Sequence, residues 1–169
     1  MKYQDNFWNR YFKYYDVLLK VIPYQELFER IVASLNLKPD SKVLDLGAGT
    51  GNLQSFLPEN INIVSLDNSK EALNRLTDKF PKSKIVKQSI QKRLPFEDNT
   101  FDRVVSNNVL YTLHDKEWDF VISEIQRISK PDSIIVISNL NKDFKAVSIY
   151  KDHIRKTRIQ SAARKRIFR

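Results

Sequence analysis

Residues 43–53 read VLDLGAGTGNL and hold all three glycines of the 169-residue chain, Gly47, Gly49 and Gly51. At the usual glycine content of ~7%, a chain of this length would carry about a dozen. The four residues ahead of Gly47 form a short β-rich run, and a helical pattern follows Gly51. A strand, a glycine turn and a helix in succession let a ligand approach bare backbone and meet a helix N-terminus. Other turns here, such as PFEDNT at 95–100, contain no glycine, so an ordinary turn does not account for the cluster.

Outward from this stretch the pattern alternates. Strand-like runs are Val43–Leu46, Ile61–Leu66, Lys84–Lys87, Phe101–Ser106 and Ser133–Ser138. Helix-like runs are Gly51–Leu57, Lys70–Phe80 and Lys116–Ser129, the last with Trp118, Val121, Ile122, Ile125 and Ile128 along one face. Such alternation predicts parallel strands joined by helical crossovers, an open α/β sheet. Ahead of it, apolar residues at helical spacing predict helices over 7–22 and 24–36, with Pro23 at the break between them.

The ligand's chemistry follows from what surrounds the glycines. The spacing is G-x-G-x-G, with Asn52 where a dinucleotide fingerprint has its third glycine, and no Lys-Ser/Thr pair follows as in a phosphate-cradling loop. Asp45 stands two positions before Gly47. Its carboxylate would repel a pyrophosphate and attract an ammonium or sulfonium, either effect being about 4 kcal/mol at contact for an effective dielectric near 20. Asp67 ends the second strand, where an acid accepts hydrogen bonds from ribose hydroxyls. Two simpler roles stay open: Asp45 holding the turn's own backbone, and the Asp67–Ser69 stretch capping the helix at 70–80. Together the acids and the bare turn suit a cationic nucleoside without phosphate.

Composition narrows the rest. With 41% hydrophobic and 29% charged residues the chain is of the ordinary globular kind. No apolar run approaches the ~20 residues of a membrane helix, and MKYQDNFWNRYFKYYD lacks the apolar block of a signal peptide, so a cytoplasmic location is expected. The absence of cysteine excludes disulfides and thiolate nucleophiles, and two histidines, His114 and His153, make a structural metal site unexpected. Of the net charge of +9, residues 151–169 carry +7, from eight Lys/Arg against Asp152. A basic tail is thus attached to a nearly neutral body, and any argument toward nucleic acid concerns the tail alone.

VLDLGAGTGNL, VSLDNSKEAL, SIQKRLPFEDNTFDRVVSNNVLYTLHD and EIQRISKPDSIIVISNLN, taken in order, resemble the successive motifs of class I S-adenosylmethionine-dependent methyltransferases. The subtype resembled is the small-molecule group that includes ubiquinone/menaquinone methyltransferases, over roughly residues 10–150. The resemblance implies a Rossmann-like, open and mainly parallel sheet with helices on both faces. It implies S-adenosylmethionine as cofactor, S-adenosylhomocysteine as product, and methyl transfer to a small molecule. Asp45, Gly47, Ala48 and Gly49 would hold the methionine part, Asp67 the ribose and Asn68 the adenine side. Ser89 and Ile90 stand where the family usually has an acid and an apolar residue on the adenine, and Asn107 falls near the methyl end. KPDS at 130–133 replaces the family's usual KPGG turn before strand five. The family's last strands are missing, which implies a C-terminally short form or a second subunit covering the open sheet edge.

In-line methyl transfer disperses the sulfonium charge and needs no protonated leaving group, so orientation and water exclusion do most of the work. His114, Tyr15 and Tyr111 are the candidates for the acceptor side, His114 as a base. SNNVLY stands where base-amino methyltransferases carry an Asn/Asp-Pro-Pro-aromatic motif, which argues against nucleic-acid bases as acceptors. The expected organisation is a methyltransferase domain over 1–150, its N-terminal helical lid over about 1–38, and a basic helix or tail over 151–169. Residues 143–158 are the candidate for a helix after strand five. Two other readings stay open: a non-catalytic or partner-dependent cofactor-binding module, and an RNA-directed enzyme anchored by the tail.

Overall fold

The computed structural model of the chain describes residues 5–141, 143 and 145–167. Five strands form one sheet: β1 (Lys42–Leu46), β2 (Asn62–Asp67), β3 (Lys84–Lys87), β4 (Phe101–Asn107) and β5 (Ser129–Ser138). Their order is β3-β2-β1-β4-β5 and every pairing is parallel. The central strands read as nearly continuous apolar runs because both faces of a parallel sheet are covered. Val43 and Val105 pack with Tyr24, Phe28, Ile31 and Leu35, from α2 (Ile22–Ser34) and the residue after it. On the opposite face Leu44, Leu46, Val64, Leu66 and Val104 meet Val121, Ile125 and Ile128 of α4 (Asp115–Ile128). The expected Rossmann-like sheet with helices on both faces is the fold observed.

The helices depart from the sequence reading where proline and tertiary contacts intervene. The predicted helix 7–22 is α1 (Asp5–Tyr15) followed by a 3₁₀ segment, Asp16–Lys20, and an extended Val21. Pro23 lies within the first turn of α2 rather than between helices, a position where its missing N–H is not needed. The run predicted as a helix over 51–57 makes only the 3₁₀ turn Leu53–Phe56, since Leu57 must be extended ahead of Pro58. Helix α3 (Lys70–Lys79) starts where expected, with the Ser69 hydroxyl accepting the Ala72 N–H at 3.2 Å. Residues 130–133 form no turn: β5 starts at Ser129, directly after α4, and takes up KPDS as an irregularity in its pairing with β4.

The crossover from β3 to β4 is not helical. Residues 88–100 are held against α4 by Arg127, which donates to the carbonyls of Phe96 and Leu94 and to Asp98. Glu124 accepts both the Leu94 N–H, at 2.7 Å, and the Arg127 guanidinium. Arg103, buried within β4, donates to the carbonyls of Leu35 and Asn36 and so closes the C-terminal end of α2.

After β5 the chain forms α5 (Ala146–Ile167), one helix running through position 150. It packs on α2, with ion pairs from Lys156 to Glu26 and Asp152. The opening four residues of the expected lid, the side chain of Tyr14, and the outer part of the basic tail (side chains 159–167 and residues 168–169) lie outside the described residues. Ile135 and Ile137 are exposed on the edge strand β5. Among the described residues no helix is long and apolar enough to cross a membrane.

Candidate functional site

The glycine turn leaves β1 at the centre of the sheet, where the chain order reverses between β1 and β4. In open α/β sheets this crevice beyond the strands' carboxyl ends is where ligands bind. A cavity of about 610 Å³ opens there, within the range of small-ligand sites. Gly47, Ala48 and Gly49 line it, as do Asp45 of β1, Asp67 and Asn68 after β2, Ile90 after β3, and Asn107 of β4. These expected residues are therefore brought to one place.

The turn's conformation is enforced by the protein itself. Gly47 has φ +83°, and a Cβ built on it would lie 2.2 Å from Val109 Cγ2. The corresponding atoms of Gly49 and Gly51 would meet Phe12 at 3.0 Å and Leu76 at 2.8 Å. Close approach of a ligand is thus not what demands these glycines, as the sequence reading had it; backbone hand and the chain's own side chains suffice. The turn still borders open cavity. Four of its N–H groups, however, are spent internally. Gly47 and Ala48 donate to the Leu66 carbonyl at 2.7 and 3.0 Å, Gly49 to Asp67 Oδ2 at 2.9 Å, and Gly51 to the Ala48 carbonyl at 3.0 Å. A phosphate cradle needs such groups free.

Two carboxylates dominate the floor. Asp45 is 3% exposed and its Oδ2 has no hydrogen-bond partner. Burial, and then the neighbouring Asp67, push its pKa from 3.8 up to about 7. Asp67 takes N–H bonds from Gly49 on Oδ2 and from Ser69 on Oδ1, the latter at 2.8 Å. Burial raises its pKa too, against the pull of these backbone donors. With a third backbone N–H, from Asn68, also bonded to this carboxylate, one lone pair is left for a further donor. Asn107 adds a second buried and unpartnered acceptor, its Oδ1. Unsatisfied acceptors around a partly charged pair call for a cation rich in N–H or O–H donors.

The other wall is aromatic. Trp8, Tyr11, Phe12 and Tyr15 come from α1, Tyr24 from α2, and Tyr111 from the turn after β4. Asp16, next to Tyr15, accepts from the Thr50 hydroxyl at 2.5 Å and from Lys79 Nζ at 3.0 Å, which ties this segment to the glycine turn and to the end of α3. The Tyr15 and Tyr24 hydroxyls lie 3.1 Å apart and the Asn108 amide donates to Tyr24. Burial raises the pKa of Tyr11, Tyr15 and Tyr24, so all three phenols stay neutral.

Two expected residues stand elsewhere. His114 is exposed at the N-cap of α4, in a capping box with Glu117, and does not line the cavity. The Ser89 hydroxyl turns into its own loop, where it accepts the Gln91 N–H at 3.2 Å; Gln88 and Ile90 line the cavity on either side. The histidine at the cavity is His153, from α5. No sequence motif marked it, because only the packing of α5 on α2 turns it inward.

A family model described as a methyltransferase domain matches residues 44–137, the span from β1 through β5. An uncharacterized methyltransferase of Synechocystis is 30% identical over 120 residues, covering 70% of this chain and 56% of that protein. A demethylmenaquinone methyltransferase of Corynebacterium glutamicum is 31% identical over 131 residues, covering 76% and 55%. The chain thus spans about half the length of these curated relatives. Among solved structures, one from Methanococcus maripaludis, described as S-adenosyl-L-methionine-dependent, shares the fold with a TM-score of 0.69 at 24% identity, over 94% of this chain and 76% of that one.

Proposed function

This chain belongs to the methyltransferase-domain family, and on that premise we propose that its cavity binds S-adenosylmethionine and directs methyl transfer to a small-molecule acceptor. The observation that carries the reading is the floor of the cavity: Asp45 with its unpartnered Oδ2, Asp67 beside it, and a turn in which the N–H groups of Gly47, Ala48, Gly49 and Gly51 are already bonded. Such a floor suits a ligand with an ammonium and hydroxyls and disfavours one with phosphate.

Asp45 and Asn107 would accept from the amino-acid part, and Asp67 from the ribose through its remaining lone pair. Asn68, Gln88 and Ile90 would border the adenine. When bound, the cofactor supplies a sulfonium-activated methyl group and leaves as S-adenosylhomocysteine. The chain's own contribution is positioning: the Asp16–Thr50–Lys79 contacts fix α1 and its aromatic side chains over the turn, excluding water and holding the acceptor in line. The phenols of Tyr11, Tyr15 and Tyr24 keep their protons and orient rather than abstract.

The exposed Ile135 and Ile137 on the β5 edge support a second reading, in which another strand or subunit completes the sheet and the activity depends on it. The RNA-directed reading draws less support, since Arg155 and Lys156 of α5 are already ion-paired within the chain.

Titration calorimetry with S-adenosylmethionine, S-adenosylhomocysteine and ATP tests the proposal. Both nucleosides should bind and ATP should not. Asp67→Ala should weaken S-adenosylmethionine binding at least ~10-fold, as expected for hydrogen bonds to a charged group. Equal affinity in the folded variant would reject the ribose role.

A further inference from the structure

Helix α2 begins without a side-chain cap, and its first-turn residue Pro23 has no N–H to satisfy. The half-buried Ile22 N–H at the start of that turn donates at 3.2 Å to His153 Nδ1, 131 residues away on α5. A nitrogen that accepts an N–H carries no proton, so in the neutral ring the proton sits on Nε2. Nε2–H is then the group His153 has left to offer, and His153 lines the cavity together with its helix neighbours Ile149 and Tyr150. Helix α5 follows β5, whereas Asp67 and Ile90 come from the opposite, β2–β3 half of the sheet. His153 therefore stands away from the proposed adenosine end. Asp45 and Asp67 are the only carboxylates lining the cavity among the described residues, and both belong to the cofactor floor.

We propose that His153 is the residue that recognises the methyl acceptor, its Nε2–H donating to an acceptor oxygen, so that the cavity selects apolar molecules bearing a carbonyl, phenolate or carboxylate oxygen over hydrocarbons and amines of the same shape. The proposal rests on the methyltransferase reading for the word acceptor, but the binding preference can be measured without it. Because Nδ1 is engaged by backbone, Nε2 has no lone pair to take a proton. His153 thus binds and orients and does not act as a base, the role the sequence had suggested for His114. A donor in an apolar wall left unpaired by its ligand is costly, which makes the choice between ligands a matter of about tenfold or more.

The test has two parts. Nitrogen-15 spectra of the two imidazoles, assigned with a His114→Gln variant, should show His153 in the Nε2–H form; an Nδ1–H form overturns the proposal with no cavity mutation needed. Binding of 2-acetylnaphthalene and 2-ethylnaphthalene to the full chain, with no cofactor added, compares an oxygen with its hydrocarbon counterpart. The ketone should bind about tenfold tighter. That advantage should vanish in His153→Phe and persist in His153→Gln, whose amide can accept from Ile22 and donate into the cavity. No preference in the wild type, or one retained in His153→Phe, rejects the proposal. Failure of the wild type to bind S-adenosylmethionine would instead end the methyltransferase reading and leave the ketone preference intact.

Discussion

Asp45 offers the most direct test of how the site is built, because its cost to the fold has a defined dependence on pH. The side chain is 3% exposed, one oxygen lacks a partner, and its pKa is raised from 3.8 to about 7 by burial first and by Asp67 second. A raised acid pKa means that the native state holds a proton the unfolded chain has lost. Stability therefore falls as pH rises from about 4 to about 7, and the full penalty of about 4 kcal/mol is present above that window. Between pH 5 and pH 8 the penalty grows by roughly 2–3 kcal/mol. In Asp45→Asn this slope disappears, while the buried amide adds a pH-independent cost of about 1–3 kcal/mol. The quantity to follow is the difference in Tm between variant and wild type, by calorimetry without ligand. It should move in the variant's favour by roughly 5–10 °C from pH 5 to pH 8, given about 2–4 °C per kcal/mol at this chain length. The same variant should lose most of its affinity for S-adenosylmethionine. A Tm difference that does not change with pH would show that Asp45 is not the strained acid described above.

Gly47→Ala must accept φ +83° and a Cβ placed 2.2 Å from Val109 Cγ2, so a loss of about 3 kcal/mol or more is expected. Adding Val109→Ala should recover the steric part and leave the ~1–2 kcal/mol of backbone strain, as read from urea midpoints. Arg127→Ala removes the donor that holds Leu94, Phe96, Asp98 and Glu124 together, at a cost of about 3 kcal/mol, or roughly 6–12 °C in Tm. Arg127 holds the Glu124 pKa below its usual 4.5, so this loss is fully present above about pH 4.5 and shrinks as pH falls through the lowered value. A variant whose deficit is as large at pH 3 as at pH 7 would show that packing, not the ion pair, restrains the loop.

What lay in local sequence came through to the fold. The alternation of runs, the acids at the ends of β1 and β2, the glycine turn and the Ser69 cap each depend on residues a few positions apart, where covalent geometry and hydrogen-bonding reach leave few alternatives. The parallel character of the sheet follows from the same alternation, since parallel strands need crossovers, whereas the order β3-β2-β1-β4-β5 does not. Only the tertiary structure decided the rest. Val109 over Gly47, Arg127 across the β3–β4 loop and His153 against Ile22 join residues up to 131 positions apart through contacts that no spacing encodes. The choice between the two histidines shows the reason. His114 lies inside the motif region and yet caps a helix, whereas His153 reaches the cavity because α5 docks on α2, and docking is settled by summed burial over many residues rather than by any short stretch of sequence.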